Sequence, residues 1–213
     1  MLPFPMRCLL FISFIFLSAC ASPYKGLQNA PGDMNCVQKF KPVFVSALYN
    51  TRVNVVGKHL SGLLLIKTMP DGSIRMVFSN ELGFKFFDFG FLANGDFVVY
   101  AIIKQMNKKA VIRTLRKDFE LVMMRHLDTA NGSVKKEGDL IYYSFPQGKE
   151  FNYYITRARC SELVRVENAS KRKTKVQVIM QHYIDGVPDT IGITHKNIHF
   201  NIGLKRLERN VER

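Results

Sequence analysis

Phe84-Lys85-Phe86-Phe87-Asp88-Phe89-Gly90-Phe91 is the stretch from which the fold is read. On a strand, alternation puts Phe84 and Phe86 on one face and Phe87, Phe89 and Phe91 on the other. A sheet with one wet face shows aromatics on the dry face alone. Here either both faces are covered, as in the core strand of a sandwich, or one face walls an apolar hollow. Gly62-Leu63-Leu64-Leu65-Ile66 has the same two-sided character.

Outward from this strand the pattern stays β. Residues 60–69 and 74–79 flank the tight turn Pro70-Asp71-Gly72-Ser73, and 97–103 follow the hairpin signal Asn94-Gly95-Asp96. Beyond Asn131-Gly132, short strands are expected at 140–145, 151–158, 162–167, 175–183, 190–194 and 198–207. That makes about ten or eleven strands in all, at the turn spacing of a sandwich or barrel. Two stretches read as helix. Over 107–125, Ala110, Leu115, Phe119, Val122 and Met123 form a stripe interleaved with Lys108, Lys109, Arg113, Arg116 and Lys117. Over 37–51, Phe40, Phe44, Ala47, Leu48 and Thr51 have helical spacing behind Asn35 as a cap, before 52–56 turns to alternation.

Composition bounds the class. The chain has 213 residues, 47% of them hydrophobic and 12% aromatic, with no Trp. Such a chain buries a core and is not a disordered segment. Four Cys are too few for a disulfide-stapled miniprotein.

The first twenty residues read as an address. Arg7 precedes an apolar run from Cys8 through Phe11, Phe14 and Phe16 to Leu17. Such a run is too short to span a bilayer, which takes about 20 residues, and it suits a signal-peptide core. Leu17-Ser18-Ala19-Cys20 resembles the bacterial lipoprotein signal box, in which small residues precede a cysteine that takes up a diacylglycerol. The expected organisation is a signal peptide over 1–19, a lipidated Cys20 with a flexible tether over 20–35, and one domain over 36–213. Ala21, where some bacteria place an inner-membrane retention Asp, leans towards the periplasmic face of the outer membrane. Cys36 and Cys160 remain in an oxidising compartment, either paired or as two separate buried thiols.

Little in the chain points to catalysis. His195-Lys196-Asn197-Ile198-His199 has the zinc-helix spacing, but Lys196 stands where a metalloprotease has Glu, and a turn with two exposed His is expected. No nucleophile elbow, phosphate loop or dinucleotide fingerprint occurs. Asp118 is read as an ion-pair partner for Lys or Arg on its helix. No catalytic residue, metal ligand or cofactor is expected, and the protein is read as a non-enzyme. The formal charge of +14 concentrates at Lys171-Arg172-Lys173-Thr174-Lys175. For a chain routed out of the cytoplasm, anionic lipid head groups are nearer partners than nucleic acid.

A lipidated N-terminus, a leading helix, about eleven antiparallel strands and an interposed helix together resemble the LolA/LolB superfamily of envelope lipoprotein carriers and receptors. Gly62-Leu63-Leu64-Leu65-Ile66, Glu81-Leu82-Gly83 and Pro188-Asp189-Thr190-Ile191-Gly192-Ile193 carry the likeness. The resemblance implies a mainly β (α+β) fold, a strongly curved antiparallel half-barrel sheet closed by one or two helices. It also implies an apolar hollow that receives acyl chains of a lipid or lipoprotein, with Phe84, Phe86, Phe87, Phe89, Phe91, Leu63 and Leu65 as its expected wall. The other reading is a structural or interaction lipoprotein with a filled core. In that case Lys171, Arg172, Lys173 and Lys175 form a basic docking surface.

Overall fold

The computed structural model describes residues 22–207. The fold is mainly β, a single curved, open antiparallel sheet. Its first six strands are β1 (Gln28–Asn29), β2 (Ser46–Val55), β3 (Lys58–Thr68), β4 (Ile74–Ser79), β5 (Lys85–Phe91) and β6 (Phe97–Ile102). The helix α1 (Lys109–Val122) intervenes before β7 (Ser133–Glu137), β8 (Leu140–Gln147), β9 (Glu150–Arg157) and β10 (Leu163–Ala169). The last three are β11 (Thr174–Ile184), β12 (Val187–His195) and β13 (Phe200–Arg206). In the sheet the order is β1-β7-β8-β9-β10-β11-β12-β13-β2-β3-β4-β5-β6, so β13 closes the chain back onto β2.

The inner face carries the main core. On β3 the buried residues are Leu64 and Ile66, and on β5 they are Phe87, Phe89 and Phe91. Leu115, Phe119 and Val122 of α1 pack onto that face at helical spacing. Leu63 and Leu65 point to the opposite face and are half-buried. On that outer face of β5, Asp88 takes two hydrogen bonds from Arg75, Nε to Oδ1 at 2.6 Å and a terminal nitrogen to Oδ2 at 2.9 Å. The Arg75 guanidinium in turn lies 3.8 Å from the Tyr100 ring centroid. The bonds from Arg75 hold the Asp88 carboxyl below the usual aspartate range. The outer side of the Phe-rich strand is therefore covered by an ion pair and an aromatic ring, not by a second layer.

Two expectations need correction here. The helix expected over 37–51 is a 3-10 helix over Met34–Phe40 followed by β2. Pro42 pushes Lys41 into extended backbone and stops the turn, and Ala47, Tyr49 and Thr51 are buried at a period of two. The tether expected over 20–35 is, from Ser22 onward, part of the folded body. Tyr24 is buried, stacks on Tyr153 with centroids 4.2 Å apart and donates to the Glu167 carboxylate. With Tyr142, Tyr153, Ile155 and Ala169 it forms a small second core on the outer face, and Gln28 and Asn29 pair with β7. Those two strand residues and β7 are why thirteen strands stand where about eleven are expected.

Cys36, in the 3-10 helix, and Cys160, in the β9–β10 connection, form a disulfide with Cα atoms 6.2 Å apart. A cross-link over a sequence separation of 124 removes much entropy from the unfolded chain. Reducing it is expected to lower unfolding stability by about 2–5 kcal/mol. Urea unfolding with and without a thiol reductant checks this, and a Cys36→Ser/Cys160→Ser protein should be insensitive to the reductant.

Candidate functional site

The helix that covers the Phe-rich strands runs on towards β9–β12, and there it leaves a cleft of about 380 Å³. Helix α1 supplies Asp118, Lys117 and Thr114, and the sheet supplies Glu150, Asn152, Asn168, Lys175 and His195. Asp118 is on the buried stripe of α1, one turn from Leu115 and Leu121, which points its carboxylate at the sheet. His195 Nε2 lies 2.9 Å from Asp118 Oδ2, and the imidazole stacks on Phe200 with centroids 4.7 Å apart. Asp118 Oδ1 is buried without a hydrogen-bond partner. Burial pushes the Asp118 carboxyl above the ordinary aspartate value, against the opposing hydrogen bond from His195.

At the mouth, Glu150 accepts from Lys175 Nζ at 2.5 Å and from Lys117 Nζ at 3.1 Å. Burial alone would raise the Glu150 carboxyl, but these two bonds hold it below its usual value. Deeper in, Asn168 Nδ2 donates to Asn152 Oδ1 at 3.0 Å. The cleft thus has an unpartnered carboxyl oxygen at its floor and, at its entrance, two ammonium groups that share one carboxylate, Glu150, and so leave one excess positive charge. Such a pattern suits a ligand with a donor group buried deep and an anionic group nearer solvent.

A second, more open trough of about 760 Å³ lies on the outer face of β11, β12, β13 and β2, over the cross-strand pair Gly192 and Gly203. The buried Thr190 hydroxyl in it also lacks a partner. An unpaired hydroxyl is far less costly to bury than an unpaired carboxylate oxygen, so the cleft under α1 is the stronger candidate.

The residues expected to wall an apolar hollow do something else. Phe87 and Phe89 stack with centroids 4.3 Å apart, Phe87 meets Phe119 at 5.9 Å, and Phe89 and Phe91 both meet Phe97 edge-on. These rings fill the space between sheet and helix with one another. Phe84 is 59% exposed in the β4–β5 loop, and Phe86 is half-buried against Phe78. Leu63 and Leu65 are on the other side of the sheet. Alternation placed Phe87, Phe89 and Phe91 on one face, but it does not distinguish a wall from a filled core.

The remaining site residues separate. Lys171, Arg172 and Lys173 occupy the exposed β10–β11 turn, where Ser170 Oγ accepts from the amides of Arg172 and Lys173. Lys175 turns into the cleft instead. His199 is exposed as expected, but His195 is not, and Asp118, expected to pair with Lys or Arg on its helix, pairs with His195 instead. The signal was present in the helical stripe: Asp118 occupies a position that Leu115, Phe119 and Val122 mark as buried. Among the described residues, no hydroxyl or thiol hydrogen-bonds His195 and no cluster of His, Cys, Asp or Glu could hold a metal ion. Cys20 and the signal segment 1–19 lie outside the described residues.

No protein-family model matches this chain, and no curated protein matches it. Among solved structures, a DUF1329 family protein from Desulfovibrio piger is similar at 11% identity and a TM-score of 0.42, covering 82% of this chain and 88% of that one. A domain named as an outer membrane lipoprotein-sorting protein from Vibrio parahaemolyticus is similar at 8% identity and a TM-score of 0.43, covering 82% and 90%. Likenesses of this extent place the chain in neither family.

Because burial raises the Asp118 carboxyl, its contribution to stability is present below the unfolded aspartate value and is lost as pH rises through the folded value. Asp118→Asn, which cannot ionise, is therefore expected to gain on the parent as pH rises from about 4 to about 8. Urea unfolding across that range checks it, and a difference with the opposite slope contradicts the burial account.

Proposed function

We propose that this protein is a lipid-tethered binding protein of the cell envelope, anchored through Cys20. It would hold the polar head of an amphiphile, a phospholipid or an acylated protein, in the cleft between α1 and β9–β12. The observation that carries this reading is the buried Asp118 Oδ1, without a partner, in a cleft whose mouth holds Lys117 and Lys175 around the single carboxylate Glu150. A buried carboxylate oxygen is costly when left unmade, and a donor group on a ligand would satisfy it. The size of the cleft fits a head group and the start of a chain, at the lower end of small-molecule sites. Binding and release would be non-covalent, with Asp118 and His195 as binding groups and no chemical step. Retention on the periplasmic face of the outer membrane belongs to the same proposal and rests on the reading of Cys20 and Ala21.

A second reading, an interaction lipoprotein with a filled core, is favoured by the ring packing of Phe87, Phe89 and Phe91 against Phe97 and Phe119. Native mass spectrometry of the chain expressed from Ala21 onward separates the two. Our reading expects a co-purifying amphiphile of phospholipid mass. Asp118→Asn should deplete it about tenfold or more, as for the loss of one charged hydrogen bond of about 1.5–3 kcal/mol. An unliganded protein, or an adduct indifferent to Asp118→Asn, contradicts it.

A further inference from the structure

The hairpins of an antiparallel sheet alternate between its two ends, and here the ends differ in charge. From β8 to β13, and again from β2 to β5, one end collects five turns: 148–149, 170–173, 196–199, 56–57 and 80–84. They carry five cations, Lys149, Lys171, Arg172, Lys173 and Lys196, against one carboxylate, Glu81. The other end collects the turns 138–139, 158–162, 185–186, 69–73 and 92–96. Within these turns there are five carboxylates, Asp71, Asp96, Asp139, Glu162 and Asp185, against Arg159, and the flanking Lys41, Lys67, Arg157 and Arg206 bring this end close to neutral. The twelve charged side chains within the turns are all exposed. Lys58 and Lys85, at the first positions of β3 and β5, and Lys104 and Lys108, between β6 and α1, add to the basic end, against Glu150 at the first position of β9.

One further observation sets the basic end apart. Ser22, the first described residue, donates its hydroxyl to the backbone carbonyl of Lys171, so the described chain begins beside the most basic turn. The same end exposes Leu82, 93% accessible at the tip of the β4–β5 loop, with Phe84, Val56 and Ile198. Exposed apolar side chains also occur at the far end, at Val43, Val45 and Ile184, so the charge and the position of Ser22, not hydrophobicity, distinguish the two.

We infer that the basic end of the sheet is a docking surface for an anionic phospholipid bilayer, holding the strands end-on to the membrane with the near-neutral end outward. Lysine and arginine side chains within a Debye length of such a surface are attracted to it. Ser22, where the described chain begins, is on that same side of the fold. The surface acts whether or not the cleft under α1 holds a ligand.

Hydrogen exchange of the mature chain with phosphatidylglycerol vesicles, and separately with phosphatidylcholine vesicles, tests this. Amides of residues 170–173 and 80–84, none of which lines the cleft under α1, should exchange several-fold more slowly with phosphatidylglycerol only, and the slowing should vanish in about 0.5 M salt, where the Debye length is a few ångströms. A Lys171→Glu/Arg172→Glu/Lys173→Glu protein should keep its exchange elsewhere and lose the slowing. Exchange unchanged by phosphatidylglycerol, as an acidic protein partner would require, overturns the inference. Slowing at 69–73 and 185–186 instead also overturns it.

Discussion

Among the described residues, one α-helix of 14 residues and the 3-10 helix Met34–Phe40 must cover the inner face of a sheet of thirteen strands. At 1.5 Å per residue the α-helix is about 21 Å long, whereas thirteen strands spaced about 4.8 Å apart are far wider. No flat arrangement closes that core. The sheet has to curve until its own inner side chains meet, and the large rings of β4–β6 make this possible. Each buried Phe contributes about 1.5–3 kcal/mol, and each offset or edge-on ring pair about 0.5–1.5 kcal/mol more. Phe119 joins helix to sheet at Phe87.

That packing also determines where space is left. The ring-filled side of the inner face belongs to β4–β6 and α1, so the cleft falls on the other side, where α1 faces β9–β12 with smaller and polar residues. Buried polar groups elsewhere are matched: Asp88 by Arg75 and Lys85, Glu167 by Arg165 and Tyr24, Asn152 by Asn168. Asp118 is matched on one oxygen only. Tyr154 and Thr190 also have unpartnered hydroxyls, but neither brings a charge into the interior.

Much of the sheet was legible because strand period and turn chemistry are local. The turns at Asp71-Gly72 and Asn94-Gly95 and the α1 stripe are where the sequence pattern puts them. What was not legible depends on partners far along the chain. Tyr24 looked like part of a tether because its partners, Tyr153 and Glu167, are more than 120 residues away. Residues 37–51 show apolar spacing compatible with a helix, and Pro42 together with pairing of β2 to β3 and β13 decides for the strand. For the site, residue types were visible but their company was not. Asp118 and His195 are 77 positions apart, and aromatic alternation in β5 reads alike for a cavity wall and for a packed core.

The central claim is that free space under α1 lies beside Asp118 and not among the phenylalanine rings. A crystal structure of the mature protein soaked with a short-chain phosphatidylethanolamine tests it most directly. The account predicts head-group density within hydrogen-bond reach of Asp118 Oδ1, with Phe87, Phe89 and Phe119 still in contact. Acyl-chain density separating Phe119 from Phe87, with nothing beside Asp118, would contradict it.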